Sequence, residues 1–156
     1  MKPKKQQQPA RILVAVDGSD SSMNAAEYAI TLANNNVETT EVFVINVIDL
    51  PSIFKMVPSD TRKQLVRIGR QQSSEIFDTI EEMAKNYGDA TLKINTEKIE
   101  TSSASAADEI IKYAKEKDVD LIIVGTRGRS GMRKALLGSI ASKVVTYSPC
   151  SVLVVR

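Results

Sequence analysis

The chain has 156 residues, one domain's worth of sequence, of which 42% are hydrophobic and 26% charged, as in an ordinary globular protein. It has no histidine, no tryptophan and one cysteine. That excludes Ser-His-Asp and Cys-His catalysis, a structural zinc site made of Cys and His, and an intramolecular disulfide. The net charge of +2 belongs to the N-terminus: with Lys2, Lys4 and Lys5 set aside, 18 basic residues face 19 acidic ones. A domain so balanced is not expected to bind nucleic acid. No apolar run approaches the roughly 20 residues that span a bilayer, so no membrane partner is expected. The polar N-terminus does not read as a signal peptide, and a lone thiol suits a reducing compartment, so the expected location is the cytoplasm.

Residues 1–10 (MKPKKQQQPA) are polar, with two prolines and three glutamines, and read as a disordered basic tail ahead of a domain over 11–156. Arg11–Val16 (RILVAV) is an apolar run suited to a strand buried on both faces. Ser19–Ala33 switches to helical spacing through Met23, Ala26, Ala29, Ile30 and Ala33, and Asp17, Ser19, Asp20 and Ser21 offer N-cap oxygens. Glu41–Ile48 is a second apolar strand. After a loop with Pro51 and Pro58, Asp60 or Thr61 opens a long helix whose apolar stripe is Leu65, Ile68, Ile76, Ile80 and Met83, with Gly88 placed to stop it. Leu92–Ile99 alternates apolar and polar residues, so this strand should be the most exposed. A helix over Ser105–Lys117 turns Ala106, Ile110, Tyr113 and Ala114 to the sheet. The strand Asp120–Val124, a glycine-rich basic segment Gly125–Gly138, a short helix Ser139–Tyr147 and a last strand Ser151–Val155 complete the chain.

This alternation predicts an α/β fold: a single three-layer α/β/α domain with a five-stranded parallel sheet of order 3-2-1-4-5. The helices leaving the first and fourth strands then lie on opposite faces, and a crevice opens beyond those strands' C-terminal ends, where open α/β sheets bind ligands. The segments that should line it are Val16–Ser19 and Val124–Gly128. From Gly125 to Ser139 three glycines permit close backbone approach, Arg127, Arg129, Arg133 and Lys134 add positive charge, and a helix N-terminus follows. The physical reading is a phosphate cradle. The chain contains neither G-x-x-x-x-G-K-[ST] nor G-x-G-x-x-G.

The spacing Gly125-x2-Gly128-x9-Gly138-Ser139 resembles the G-2x-G-9x-G-(S/T) nucleotide motif of the universal stress protein family. ILVAVDGSDSS at 12–22 looks like that family's first strand and turn, and SPCSVLVVR at 148–156 is similar to its closing strand. The resemblance covers 11–156 and implies an adenine nucleotide alpha hydrolase-like fold. It also implies a stress-response role, a bound ATP or other adenine nucleotide, and membership of the subgroup whose motif marks ATP binding. By this resemblance Ala15 and Val16 lie along base and sugar, and Asp17 faces ribose and phosphates through Mg²⁺. Val47 contacts the adenine, Gly125 passes under the ribose, and Gly128, Gly138 and Ser139 hold the phosphates. Ile140 closes the pocket, and Thr126, Arg127 and Arg129 are further contacts. Several of these residues have plainer readings: Asp17 as an N-cap, Val47 as core, Ser139 as a helix cap.

Cys150 is expected to fill core space, and Glu81, Glu82, Glu97 and Glu100 to be solvated rather than an acid–base pair. Ser102, Ser103 and Ser105 read as caps and turn residues. The last strand should be a sheet edge, and covering it leads to an expected homodimer through Val152–Val155. With no histidine and no positioned base, the expected role is regulatory, not enzymatic, with slow or no hydrolysis. The alternative is a nucleotide-free homodimeric interaction module. A phospho-receiver would want an acidic pocket near 99–103, which contains no Asp, and a flavin carrier would want more aromatics than the chain offers.

Overall fold

A continuous apolar strand is stable only where both its faces are covered, and the middle of a two-sided sheet provides that. In the computed structural model, which describes residues 8–36, 39–50, 54, 56–87, 92–126 and 137–156, β1 (Arg11–Ala15) takes that place. The other elements are α1 (Asp20–Asn34), β2 (Glu41–Asp49), α2 (Ser59–Asn86), β3 (Lys93–Thr101), α3 (Ala106–Glu116), β4 (Leu121–Gly125), α4 (Ser139–Tyr147) and β5 (Ser151–Val155). The sheet order is β3-β2-β1-β4-β5, and every pairing is parallel. This is the expected order. Gly88, Pro51, Arg127, Gly128, Arg129, Arg133, Lys134 and the tail lysines lie outside the described residues.

The strands send alternate side chains to two cores. Ile12, Val14, Val42, Val44 and Ile123 meet α1 and α2 on one side. Leu13, Phe43, Ile45, Ile122 and Val124 meet α3 and α4 on the other. Small residues on α1 (Ala25, Ala26, Ala29, all fully buried) let that helix lie close to the sheet. β3 is the exposed strand its alternation predicts, with only Thr101 buried along its length. Pro9 and Ala10 are held ahead of β1: the Ala10 N–H donates to Asp120 Oδ2 at 3.0 Å, and Pro9 O accepts from Asn36.

The long second helix departs from expectation. Ile80 is buried and Ile76 and Met83 pack against the first core, but Leu65 and Ile68 are 42% and 43% exposed. The cause is length. A 28-residue helix runs about 42 Å at 1.5 Å per residue, well past strands of nine residues or fewer, so it overhangs the sheet, which it meets by Gly69, seated on Ile48 of β2. Where α2 does meet the sheet it brings a polar residue: fully buried Ser73 donates to Asn46 Oδ1 at 2.5 Å, and Asn46 Nδ2 donates to Val16 O at 2.6 Å.

Candidate functional site

At the end of β1 the chain must turn sharply into α1. Gly18 makes that turn with φ +81°, a backbone state costly for residues with a Cβ. Ser19 is the N-cap of α1, its side chain accepting from the Ser22 N–H. The cap is therefore not Asp17, whose Oδ1 instead accepts from the Ser19 N–H at 3.0 Å and from Ser19 Oγ. Ser22 Oγ in turn accepts from the Asp17 N–H at 3.2 Å. Asp17 and Asp20 together put negative charge at the positive end of the α1 dipole.

β4 ends on Gly125, and here the glycine has a reason other than ligand approach. A methyl group there would lie 2.6 Å from Ser21 Oγ and 2.8 Å from Ser22 N. Its absence lets the first turn of α1 sit directly on the end of β4. Thr126 continues from β4, its N–H donating to Val155 O at 2.7 Å, and its own carbonyl accepts from the Gly138 N–H at 2.8 Å. Gly138 is the N-cap of α4, with no side-chain cap hydrogen bond, and α4 has no acidic residue in its first turn. Ser139 is consequently the first helical residue, not the cap.

These elements enclose a cleft of about 130 Å³ beyond the C-terminal ends of β1 and β4. Of the residues singled out in the sequence, Ala15, Val16, Asp17, Val47, Gly125, Thr126, Gly138, Ser139 and Ile140 all line it. Arg127, Gly128 and Arg129 lie outside the described residues. Val47 serves both of its readings, lining the cleft while packing on the second core. Sequence reasoning missed Ser22 of α1, Ala106 and Ile110 of α3, and Ala141 of α4. Only helix packing brings these to the site. It also missed Asn46, which holds the Val16 carbonyl from behind; the available signal was one polar residue in the apolar run EVFVINVI.

Asp17 is the one ionisable side chain among the described lining residues. Among the described residues no three Cys, Asp or Glu side chains group to hold a metal. The cleft thus combines an apolar lining from Val47, Ala106 and Ile110 with hydroxyls, the Asp17 carboxylate and the N-terminus of α4. Such a helix start favours an anion through its unpaired N–H groups and dipole. Outside the cleft, Cys150 is half-buried against the second core, as expected of a residue that fills core space, and burial raises its thiol pKa. Among the described residues no helix is long and apolar enough to cross a membrane.

A model of the universal stress protein family matches residues 10–156. A universal stress protein of Methanocaldococcus jannaschii is 35% identical over 147 residues, covering 94% of this chain and 81% of that protein. Another, from Bacillus subtilis, is 33% identical over 152 residues, covering 94% of this chain and 98% of that protein. Among solved structures, the Lactobacillus plantarum universal stress protein UspA superposes with a TM-score of 0.78 at 22% identity, over 96% of this chain and 99% of its own, which supports the fold. Two others were solved with ligands. One is a universal stress protein in complex with cAMP (TM-score 0.68, 23% identity, 96% and 98% coverage). The other is the Archaeoglobus fulgidus universal stress protein in complex with dAMP (TM-score 0.65, 19% identity, 96% and 100% coverage).

Proposed function

This chain belongs to the universal stress protein family, and on that footing we propose that its cleft binds an adenine nucleotide, ATP or a close relative, as a regulatory module that holds the ligand. One contrast carries the reading. α1 opens with a side-chain cap and an acidic residue, whereas α4 opens onto the cleft with neither. The anion-ready helix is the one reached through Gly125-x2-Gly128-x9-Gly138-Ser139. The cAMP and dAMP complexes of structural neighbours support the ligand class.

In this reading the purine lies against Val47, Ala106 and Ile110, and the sugar beside Ala15, Val16 and Gly125. The phosphates run outward over Gly138 and Ser139, with Gly128, Arg127 and Arg129 supplying the rest of the cradle. A volume of about 130 Å³ is below the roughly 300–1,000 Å³ of pockets that enclose a whole small molecule. The cleft is thus too small to enclose a whole nucleotide, and in this reading the phosphates reach its mouth. A magnesium ion would belong mainly to the phosphates, with Asp17 touching it through water and the ion offsetting phosphate charge. Asp17 is also the sole candidate base among the described lining residues, and it is tied to Ser19. In-line transfer needs an oriented nucleophile, so hydrolysis is slow or absent.

Heating purified protein and chromatographing the extract, followed by calorimetric titration with ATP, ADP and AMP, tests the reading. An extracted or titratable adenine nucleotide is expected; finding neither sinks it.

A second reading is the nucleotide-free homodimer. It is favoured by β5, an edge strand with four half-buried residues, and by Val145 and Tyr147 of the neighbouring α4, which are 48% and 64% exposed. The two readings differ in whether the cleft takes up a nucleotide, which the same titration decides.

A further inference from the structure

α3 and α4 supply one side of the cleft through Ala106 and Ile110 and through Ser139–Ala141. The same turns of these helices are joined by a polar clasp. Lys143, one turn into α4, places Nζ 2.7 Å from Asp108 Oδ1 and 2.8 Å from Oδ2, and 3.1 Å from Ser105 Oγ. Asp108 and Ser105 are themselves bound as a capping box at the start of α3, with the Asp108 N–H donating to Ser105 Oγ at 3.3 Å and the Ser105 N–H donating back to Asp108 Oδ2 at 3.2 Å, and Ser105 Oγ also donates to Asp108 Oδ2 at 2.7 Å.

We propose that Lys143 and Asp108 are positioning residues for the nucleotide cleft: their clasp sets the separation of α3 and α4 and so the fit of the slot around the base. The proposal rests on the nucleotide reading above. A surface ion pair ordinarily contributes little, because two long side chains must be held still in water. Here one partner is already held by the capping box. The lysine is attached three residues past Ile140 and the aspartate two before Ile110, so a shift at the clasp passes directly to the cleft wall. Neither residue touches the ligand in this arrangement; both act through the backbone of their own helix.

The test is calorimetric titration with ATP and Mg²⁺ at low salt on wild type, Lys143→Met, Lys143→Arg, Asp108→Asn and the Met/Asn double variant, with thermal melts of each. Lys143→Met and Asp108→Asn should each weaken binding about two- to fivefold, the scale expected of one partly exposed charge pair. Lys143→Arg should restore wild-type affinity, and the double variant should be no worse than either single one. Raising the salt should narrow the gap between wild type and Lys143→Met. Variants that bind as tightly as a wild type that does bind overturn the clasp alone, as do single effects that simply add. A wild type that takes up no nucleotide overturns both this proposal and the reading beneath it. Should Lys143→Met fail to fold, Asp108→Asn and Lys143→Arg decide the matter.

Discussion

The Gly138 N–H donates to the Thr126 carbonyl at 2.8 Å. This bond brings the end of β4 and the start of α4 together at the cleft. It ties two residues twelve apart in sequence into a single structural feature.

Gly125 is required by packing. Gly125→Ala would drive a methyl group to 2.6 Å from Ser21 Oγ and 2.7 Å from the Ser21 carbonyl carbon. Backbone must move to relieve this, at a cost of about 1–3 kcal/mol. Thermal denaturation should show a melting temperature lower by several degrees. An unchanged melting point would contradict the close seating of α1 on β4.

Asn46 is buried and links β1, β2 and α2. Replacing it with leucine leaves the Val16 carbonyl without its 2.6 Å partner, while Ser73 can still donate to Gly69 O at 2.9 Å. The loss should be about 1–3 kcal/mol in urea unfolding. Adding Ser73→Ala should cost less than its effect in the wild-type background.

Lys143, and after it Ser105, hold the Asp108 carboxyl at about 2, below its ordinary 3.8. A lowered folded-state pKa stabilises at pH values above the unfolded one and loses that contribution as pH falls through the folded one. Melting temperatures of wild type and Asp108→Asn should therefore differ above about pH 4 and converge toward pH 2. Parallel curves across that window would remove the ion pair from the stability of the α3–α4 junction.

For the dimer, size-exclusion chromatography with light scattering at micromolar concentration should give twice the chain mass. Tyr147→Asp, on the exposed face beside β5, should shift it toward the monomer. A wild-type monomer would rule out pairing through Val152–Val155.

The strand order was legible because β1 and β4 are unbroken apolar runs and β3 alternates, and burial on two faces or one writes itself into those patterns. The same logic misread Leu65 and Ile68, since periodicity marks a helix face but not where the sheet beneath it stops. Ala15, Val16, Asp17 and Gly125 could be placed because they end the two central strands. Ser22, Ala106, Ile110 and Ala141 could not, because they reach the cleft from three helices whose mutual packing no linear spacing encodes. Ser19, not Asp17, caps α1 because Asp17 spends an oxygen on Ser19 itself, a choice among neighbouring acceptors that only the turn geometry settles.

In the proposed function the start of α4 receives phosphate. Gly138 has φ −67° and ψ 161°, a conformation open to any residue, so Gly138→Val fills the approach to the helix start without straining the backbone. Calorimetric titration of wild type and Gly138→Val with ATP and Mg²⁺ should show binding by the first and at least a tenfold weaker interaction by the second, with both proteins equally folded. Equal affinity in the two proteins would contradict it.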